Sequence, residues 1–164
     1  MNIVTIKNKK DEKFLRQKTR LFDFKKYSKK EIRELIKNMR QAMKDANGIG
    51  LSANQIGLNI EVFVAQIPDS QGRQKFYAVF NPELTKLSSE TIEMEEGCLS
   101  VPEKFGMVNR SEQATLEGLD QNGNKIKIKA WGLLARVFQH EVDHLEGKLF
   151  IDKAKNINTI QQKG

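Results

Sequence analysis

Apolar positions at Ile32, Leu35, Ile36, Met39 and Met43 recur at helical spacing, directly after Ser28-Lys29-Lys30-Glu31, which has the form of a capping box. The pattern predicts an amphipathic helix of four or five turns, stopped at Asn47-Gly48. Residues 1–27 before it read as irregular and basic, with short apolar pieces at Ile3-Val4 and Phe22-Asp23-Phe24. The period then changes. Ile60-Glu61-Val62-Phe63-Val64 and Phe76-Tyr77-Ala78-Val79-Phe80 are β-branched or aromatic runs, separated by the turn Asp69-Ser70-Gln71-Gly72, and Asn81-Pro82 is expected to end the second. Leu84 to Glu95 reads as an extended pair or edge. Gln113 to Leu119 and Lys125 to Lys129 alternate apolar and polar about Asp120-Gln121-Asn122-Gly123-Asn124, a hairpin signal. Leu133, Val137, His140 and His144 share the inner face of a last long helix, with Gly147 as its C-cap. The polar residues after Phe150 read as partly frayed. The expected class is α+β: two main helices and several antiparallel strands in one domain over residues 1–164.

Composition narrows the setting. A chain of 164 residues can bury a real core without disulfides, and its one cysteine, Cys98, excludes an intrachain bridge. No apolar run has the length of a signal peptide or a membrane span, so a cytoplasmic protein is expected. The net charge of +7 is uneven: Met1 to Lys44 holds 15 basic against 5 acidic residues. Such a stretch can neutralise RNA phosphates, as on a ribosome surface, although a solvated helix face is the commoner meaning of charge alone.

The final helix changes the picture most. His140 and His144 are the only histidines, and their i, i+4 spacing turns both imidazoles to one face with Glu141 beside them. That makes two metal ligands and a carboxylate close to any water the metal activates. A third protein ligand is normal for a catalytic metal. No histidine follows His144, and Glu146 is too near on the same helix. Upstream stands Glu96-Gly97-Cys98-Leu99-Ser100-Val101-Pro102, where a metal-bound thiolate would be an inert ligand rather than a nucleophile. A buried structural cysteine is commoner in general. Here every His and Cys falls in two short motifs, which favours the ligand. A third motif is Gly48-Ile49-Gly50-Leu51-Ser52-Ala53-Asn54-Gln55-Ile56-Gly57. It formally satisfies a dinucleotide fingerprint but follows a helix instead of a strand, so it is read as a loop that approaches a ligand closely, with Gln55 presenting an amide.

In order and spacing, the stretches Gly48 to Gln55, Glu96 to Ser100 and Gln139-His140-Glu141-Val142-Asp143-His144-Leu145 together resemble peptide deformylase, and the likeness runs from about Ile3 to Asp152. The resemblance implies a mainly antiparallel β fold packed around a central metal-bearing helix, of the compact bacterial class. The activity it implies is removal of the formyl group from the N-terminal formyl-Met of nascent chains, releasing formate. Cys98, His140 and His144 would hold one divalent metal, Fe2+ in the cell, with Zn2+, Ni2+ or Co2+ accepted in purified protein. Glu141 would be the general base, and the oxyanion would meet the Gln55 amide and the Leu99 backbone N–H. Ile49, Gly50 and Gly97 would pair with the substrate backbone, and Leu133 and Val137 would wall the Met pocket. Asp143 would support the site or the packing of its helix, paired with Arg110. The expected partners are formylated N-termini and a transient ribosome contact through the basic N-terminal third, with no membrane and no specific DNA binding. Departures from the family pattern are Ser52 in place of Ala, Phe105 where a basic residue is usual, Asn8-Lys9-Lys10-Asp11 in place of a proline turn, and a short C-terminal tail. The His-Glu…His helix taken alone would suit a zincin-like metallopeptidase.

Overall fold

A computed structural model describes residues 1–160. In chain order its elements are α1 (Lys9–Leu15), α2 (Lys29–Asp45), β1 (Gly50–Ser52), β2 (Val62–Pro68), β3 (Gln74–Leu87), β4 (Thr91–Cys98), β5 (Val101–Ser111), β6 (Gln113–Leu119), β7 (Lys125–Trp131), α3 (Gly132–Leu145) and β8 (Lys155–Thr159). The strands form two antiparallel sheets. One is five-stranded in the order β1-β2-β3-β6-β7, the other three-stranded in the order β4-β5-β8. No helix among the described residues is long and apolar enough to cross a membrane.

The capping box forms as the pattern requires: Ser28 Oγ accepts from the Glu31 N–H at 3.2 Å, and the Glu31 carboxylate accepts from the Ser28 N–H at 2.7 Å. Such a cap stabilises a helix by about 1 kcal/mol. Asn47 then takes a left-handed conformation (φ 55°), and the Gly48 N–H closes back on the Met43 carbonyl. Ile32, Ile36, Met39, Ala42 and Met43 are buried along α2. Strand alternation sets the layers. Val62 and Val64 point into the core under α2, whereas Phe63 and Ala65 point into the core under α3, so the two helices cover opposite faces of the large sheet. Burying Phe63, Phe138 and their neighbours on the α3 side contributes roughly 1.5–3 kcal/mol per large side chain.

Four expectations are corrected. Residues 1–27 are not irregular throughout: Asn8 Oδ1 caps α1 by accepting from the Asp11 N–H at 2.8 Å, and Leu15 is fully buried. Asn81-Pro82 does not end its strand; Asn81 (φ 49°) marks a bulge, and its side chain binds both the N–H and the C=O of Phe22, so β3 continues to Leu87. β5 was not foreseen, because Pro102, Lys104 and Gly106 break its apolar alternation. The tail is not frayed through Thr159, since β8 adds to β5 at Lys104, Phe105 and Met107.

Candidate metal centre

Packing pins α3 to both sheets at the level of its two histidines. The Gln139 side chain donates to the Ser111 carbonyl and accepts from the Ser111 N–H, tying the helix to the end of β5. Arg136, one turn before His140, is buried and donates to the carbonyls of Val108 and Ile92. The imidazoles therefore leave α3 at fixed positions. Cys98 enters from the other side, at the end of β4, where the register slips between Gly97 and Cys98 before a tight turn into β5.

The three side chains converge. Cys98 Sγ lies 3.1 Å from His144 Nε2, and that nitrogen lies 3.2 Å from His140 Nε2. All three donor atoms fall within 4.8 Å of one another. On a tetrahedral ion with metal–N bonds of about 2.0–2.1 Å and a metal–S bond of about 2.3 Å, neighbouring donors stand roughly 3.3–3.6 Å apart, so the cluster is the size of three ligand corners. The electrostatics agree. Burial alone would raise the Cys98 thiol, but the His144 and His140 imidazoles outweigh it and hold the thiol well below its ordinary range. Burial likewise works against a charged His140, yet the Cys98 thiolate and Glu96 push it up to about 10.

A second ring of groups orients the first. His140 Nδ1 faces Glu96 Oε1 at 2.9 Å, turning Nε2 towards Cys98. Glu96 also takes a fork of two bonds from Arg110 at 2.9 Å each and one from Arg136. Although burial opposes it, His140 and Arg110 keep this carboxyl well below the usual carboxylate range. Arg110 reaches on to Asp143 at 2.6 Å, so the pairing expected from the sequence is present. The role of Glu96 was missed. Its only signal was an acidic residue two positions before the sole cysteine.

Gln55 comes from the turn after β1. Its Oε1 accepts from the Ser52 N–H and hydroxyl, which leaves its amide nitrogen directed at Cys98 Sγ (3.5 Å) and Ser100 Oγ (3.1 Å). The N-terminal segment braces this pair from behind: the Val4 N–H donates to the Gln55 carbonyl and the Ile6 N–H to the Ser100 carbonyl. Sequence reading gave that segment no part in the site. Asn54 Nδ2 binds the His144 carbonyl at 2.7 Å, joining the loop to the last turn of α3.

The cluster opens into a cleft of about 630 Å3 whose walls include Ile49, Gly50, Gln55, Gly97, Leu99, Leu133, Val137 and Glu141. Every site residue expected from the sequence thus lines this cleft, with the exception of His144, which sits behind it, fully buried. Glu141 is buried; its Oε1 lies so close to Gly50 that a Cβ there would stand 2.5 Å away, and its Oε2 has no hydrogen-bond partner. Burial pushes the Glu141 carboxyl up. The cleft runs between two free sheet edges, because β1 is outermost in one sheet and β4 in the other.

A thiol and two helical imidazoles around one point, with a buried carboxylate beside them, form a group that could hold a metal ion, as in the metal-dependent hydrolases. The comparisons agree. The polypeptide deformylase family model matches residues 1–159. A peptide deformylase of Halothermothrix orenii is 44% identical over 128 residues, covering 78% of this chain and 80% of that one. One from Thermodesulfovibrio yellowstonii is 44% identical over 123 residues, 75% of this chain and 74% of that protein. The crystal structure of a probable peptide deformylase from Synechococcus phage S-SSM7 superposes with a TM-score of 0.83 at 38% identity, covering 93% and 99% of the two chains. That of Arabidopsis thaliana peptide deformylase 1B, bound to an inhibitor, gives 0.84 at 34% identity over 95% and 82%. This chain belongs to the peptide deformylase family. It is a metal-dependent hydrolase that acts on the formylated N-termini of nascent peptides. Nothing in the comparisons supports the zincin-like alternative.

Proposed function

We propose that Cys98, His140 and His144 hold the metal and that Glu141 moves the protons of deformylation. The observation that carries this reading is the convergence of the three donor atoms within 4.8 Å beside a buried carboxylate whose Oε2 is unpartnered. When bound, a divalent ion supplies Lewis acidity and makes water a nucleophile near neutral pH. Glu141 takes a proton from the attacking water as it adds to the formyl carbon, then gives it to the departing amine as the C–N bond breaks. The charge growing on the formyl oxygen is met by the Gln55 amide nitrogen and the Leu99 backbone N–H. A donor of this kind is typically worth about 10²- to 10³-fold in rate.

The peptide enters as an added strand between the free edges of β1 and β4, with Ile49, Gly50 and Gly97 as its backbone contacts. Leu133 and Val137, one turn apart on α3, wall the pocket for the Met side chain. In the cell the ion is Fe2+, with Zn2+, Ni2+ and Co2+ as substitutes; a site of one thiolate and two imidazoles suits all four. The enzyme is cytoplasmic and meets its substrate at the ribosome, with contact made through the basic N-terminal third.

Formate release from formyl-Met-Ala tests the reading, using protein prepared anaerobically and loaded with Fe2+, Ni2+ or Co2+. Formate should appear with at least one ion and vanish in Glu141→Ala. No formate with any of the three would sink it, and so would Cys98→Ala protein that keeps both metal and activity.

A further inference from the structure

A second cleft, of about 280 Å3, lies away from the metal centre and is lined by Arg33, Lys37, Arg40 and Lys44 of α2, together with Phe76 of β3. The four cations stand four, three and four residues apart, which places them in one stripe roughly 16 Å long. Among the described residues none of them is paired with a carboxylate. The nearby Asp45 is engaged by Gln41 at 2.6 Å. Arg40 is held in place: its guanidinium covers the Phe76 ring at 4.4 Å, and its Nε donates to Gln66 Oε1 at 3.0 Å.

We infer that this stripe is a docking surface for the phosphodiester backbone of RNA. Four like charges at spacings near one helical turn cost self-repulsion, which neutralisation by a string of phosphates removes. The fixed guanidinium of Arg40 adds a flat face on which an unstacked base can lie, a feature that suits single-stranded or looped RNA better than a uniform anionic surface. The stripe also has a direction. Lys44 lies three residues before Asn47, which lines the catalytic cleft, so RNA bound along α2 ends beside the mouth of that cleft. The stripe places on α2 the ribosome contact proposed above for the basic N-terminal third, and its role in RNA binding rests on that reading; formate release from a short peptide reports the metal centre separately.

The test is fluorescence anisotropy of a labelled single-stranded RNA of about 12 nucleotides, titrated with metal-loaded protein at several salt concentrations. Three proteins are compared: wild type, Arg33→Glu/Lys37→Glu, and a control with the same charge change, Lys125→Glu/Lys129→Glu, on β7 at the far edge of the large sheet. Arg33→Gln/Lys37→Gln serves as a milder version, and circular dichroism confirms the helix. The α2 variant should bind about tenfold more weakly or worse, with the slope of log K against log salt reduced by about 1.4. The β7 control should bind as wild type, and all proteins should release formate from a short formyl-Met peptide at equal rates. Equal loss in the control would overturn the proposal by showing that only net charge matters. RNA left unbound by wild type at about 0.1 M salt would do the same. So would equal retention, by wild type and not the α2 variant, on phosphatidylglycerol vesicles or on polyglutamate, which would assign the stripe to a membrane or an acidic protein.

Discussion

His140 Nδ1 and Glu96 Oε1 stand 2.9 Å apart, and Glu96 is in turn gripped by Arg110 and Arg136 with its side chain almost wholly buried. The carboxylate thus fixes the ring whose Nε2 faces His144 in the proposed metal site, and two cations fix the carboxylate. Glu96→Gln keeps the size of the side chain but removes the charge that both guanidiniums need. Metal affinity should fall by about 10- to 100-fold. Breaking the buried pair should also lower unfolding stability by roughly 3–5 kcal/mol. Titration with a metal buffer, below the unfolding temperature, measures the first and chemical denaturation the second. Wild-type metal affinity in Glu96→Gln would refute the orienting role.

Glu141 differs from Glu96 in having an oxygen without a partner. Glu141→Gln preserves volume and therefore should preserve the fold and the metal content. Formate release should fall by about 10²- to 10⁴-fold, the usual worth of a positioned acid–base group. Metal analysis alongside the kinetic assay separates the two effects. An empty site in this variant would mean that Glu141 binds the ion instead of moving protons.

These two carboxylates also show where sequence reading succeeds and where it stops. Glu141 was legible because it lies inside the i, i+4 histidine pair, and helix geometry alone places it. The placement of Cys98 and Gln55 at one cleft was legible through motif order. The support of Glu96 by Arg110 and Arg136 depends on the register of β4 against β5 and on how α3 crosses them, and no local pattern carries that. β5 itself was hidden, since Pro102 and Gly106 look like breakers until the pairing is known. Asn81-Pro82 misled for the related reason that a bulge and a strand end use the same residues. The bracing of Gln55 and Ser100 by Val4 and Ile6 is made by backbone atoms, which leave no mark on residue choice.

Gly97 and Phe105 are register partners on β4 and β5, and a Cβ on Gly97 would stand 2.6 Å from the Phe105 ring. Gly97→Ala must therefore displace this ring, which lines the same cleft. The expected result is a higher KM for formyl-Met tripeptides with metal content unchanged. Phe105→Ala in the same chain should restore KM towards wild type, a coupling that independent sites would not show. If the double variant were as impaired as the sum of the two single ones, the contact would not be the cause.

Glu61 supplies a pH test away from the chemistry. Its side chain is buried at the start of the large sheet, and burial pushes its carboxyl above the ordinary 4.5; Lys18 offsets this only in part, and Glu146 adds to it. The sign follows from proton linkage. Below about pH 4.5 both folded and unfolded chains hold the proton, and the buried neutral acid carries no penalty. As pH rises from 4.5 to the raised folded value, the unfolded chain releases its proton while the folded one keeps it, so stability is lost upwards across that window and levels off above it. Glu61→Gln removes the ionisation. Its Tm should exceed that of wild type at pH 7, and the gap should close as the pH is brought down to about 4. Thermal unfolding followed at intervals of pH measures the gap directly. A difference that stays constant with pH would show that Glu61 acts through packing and not through its charge.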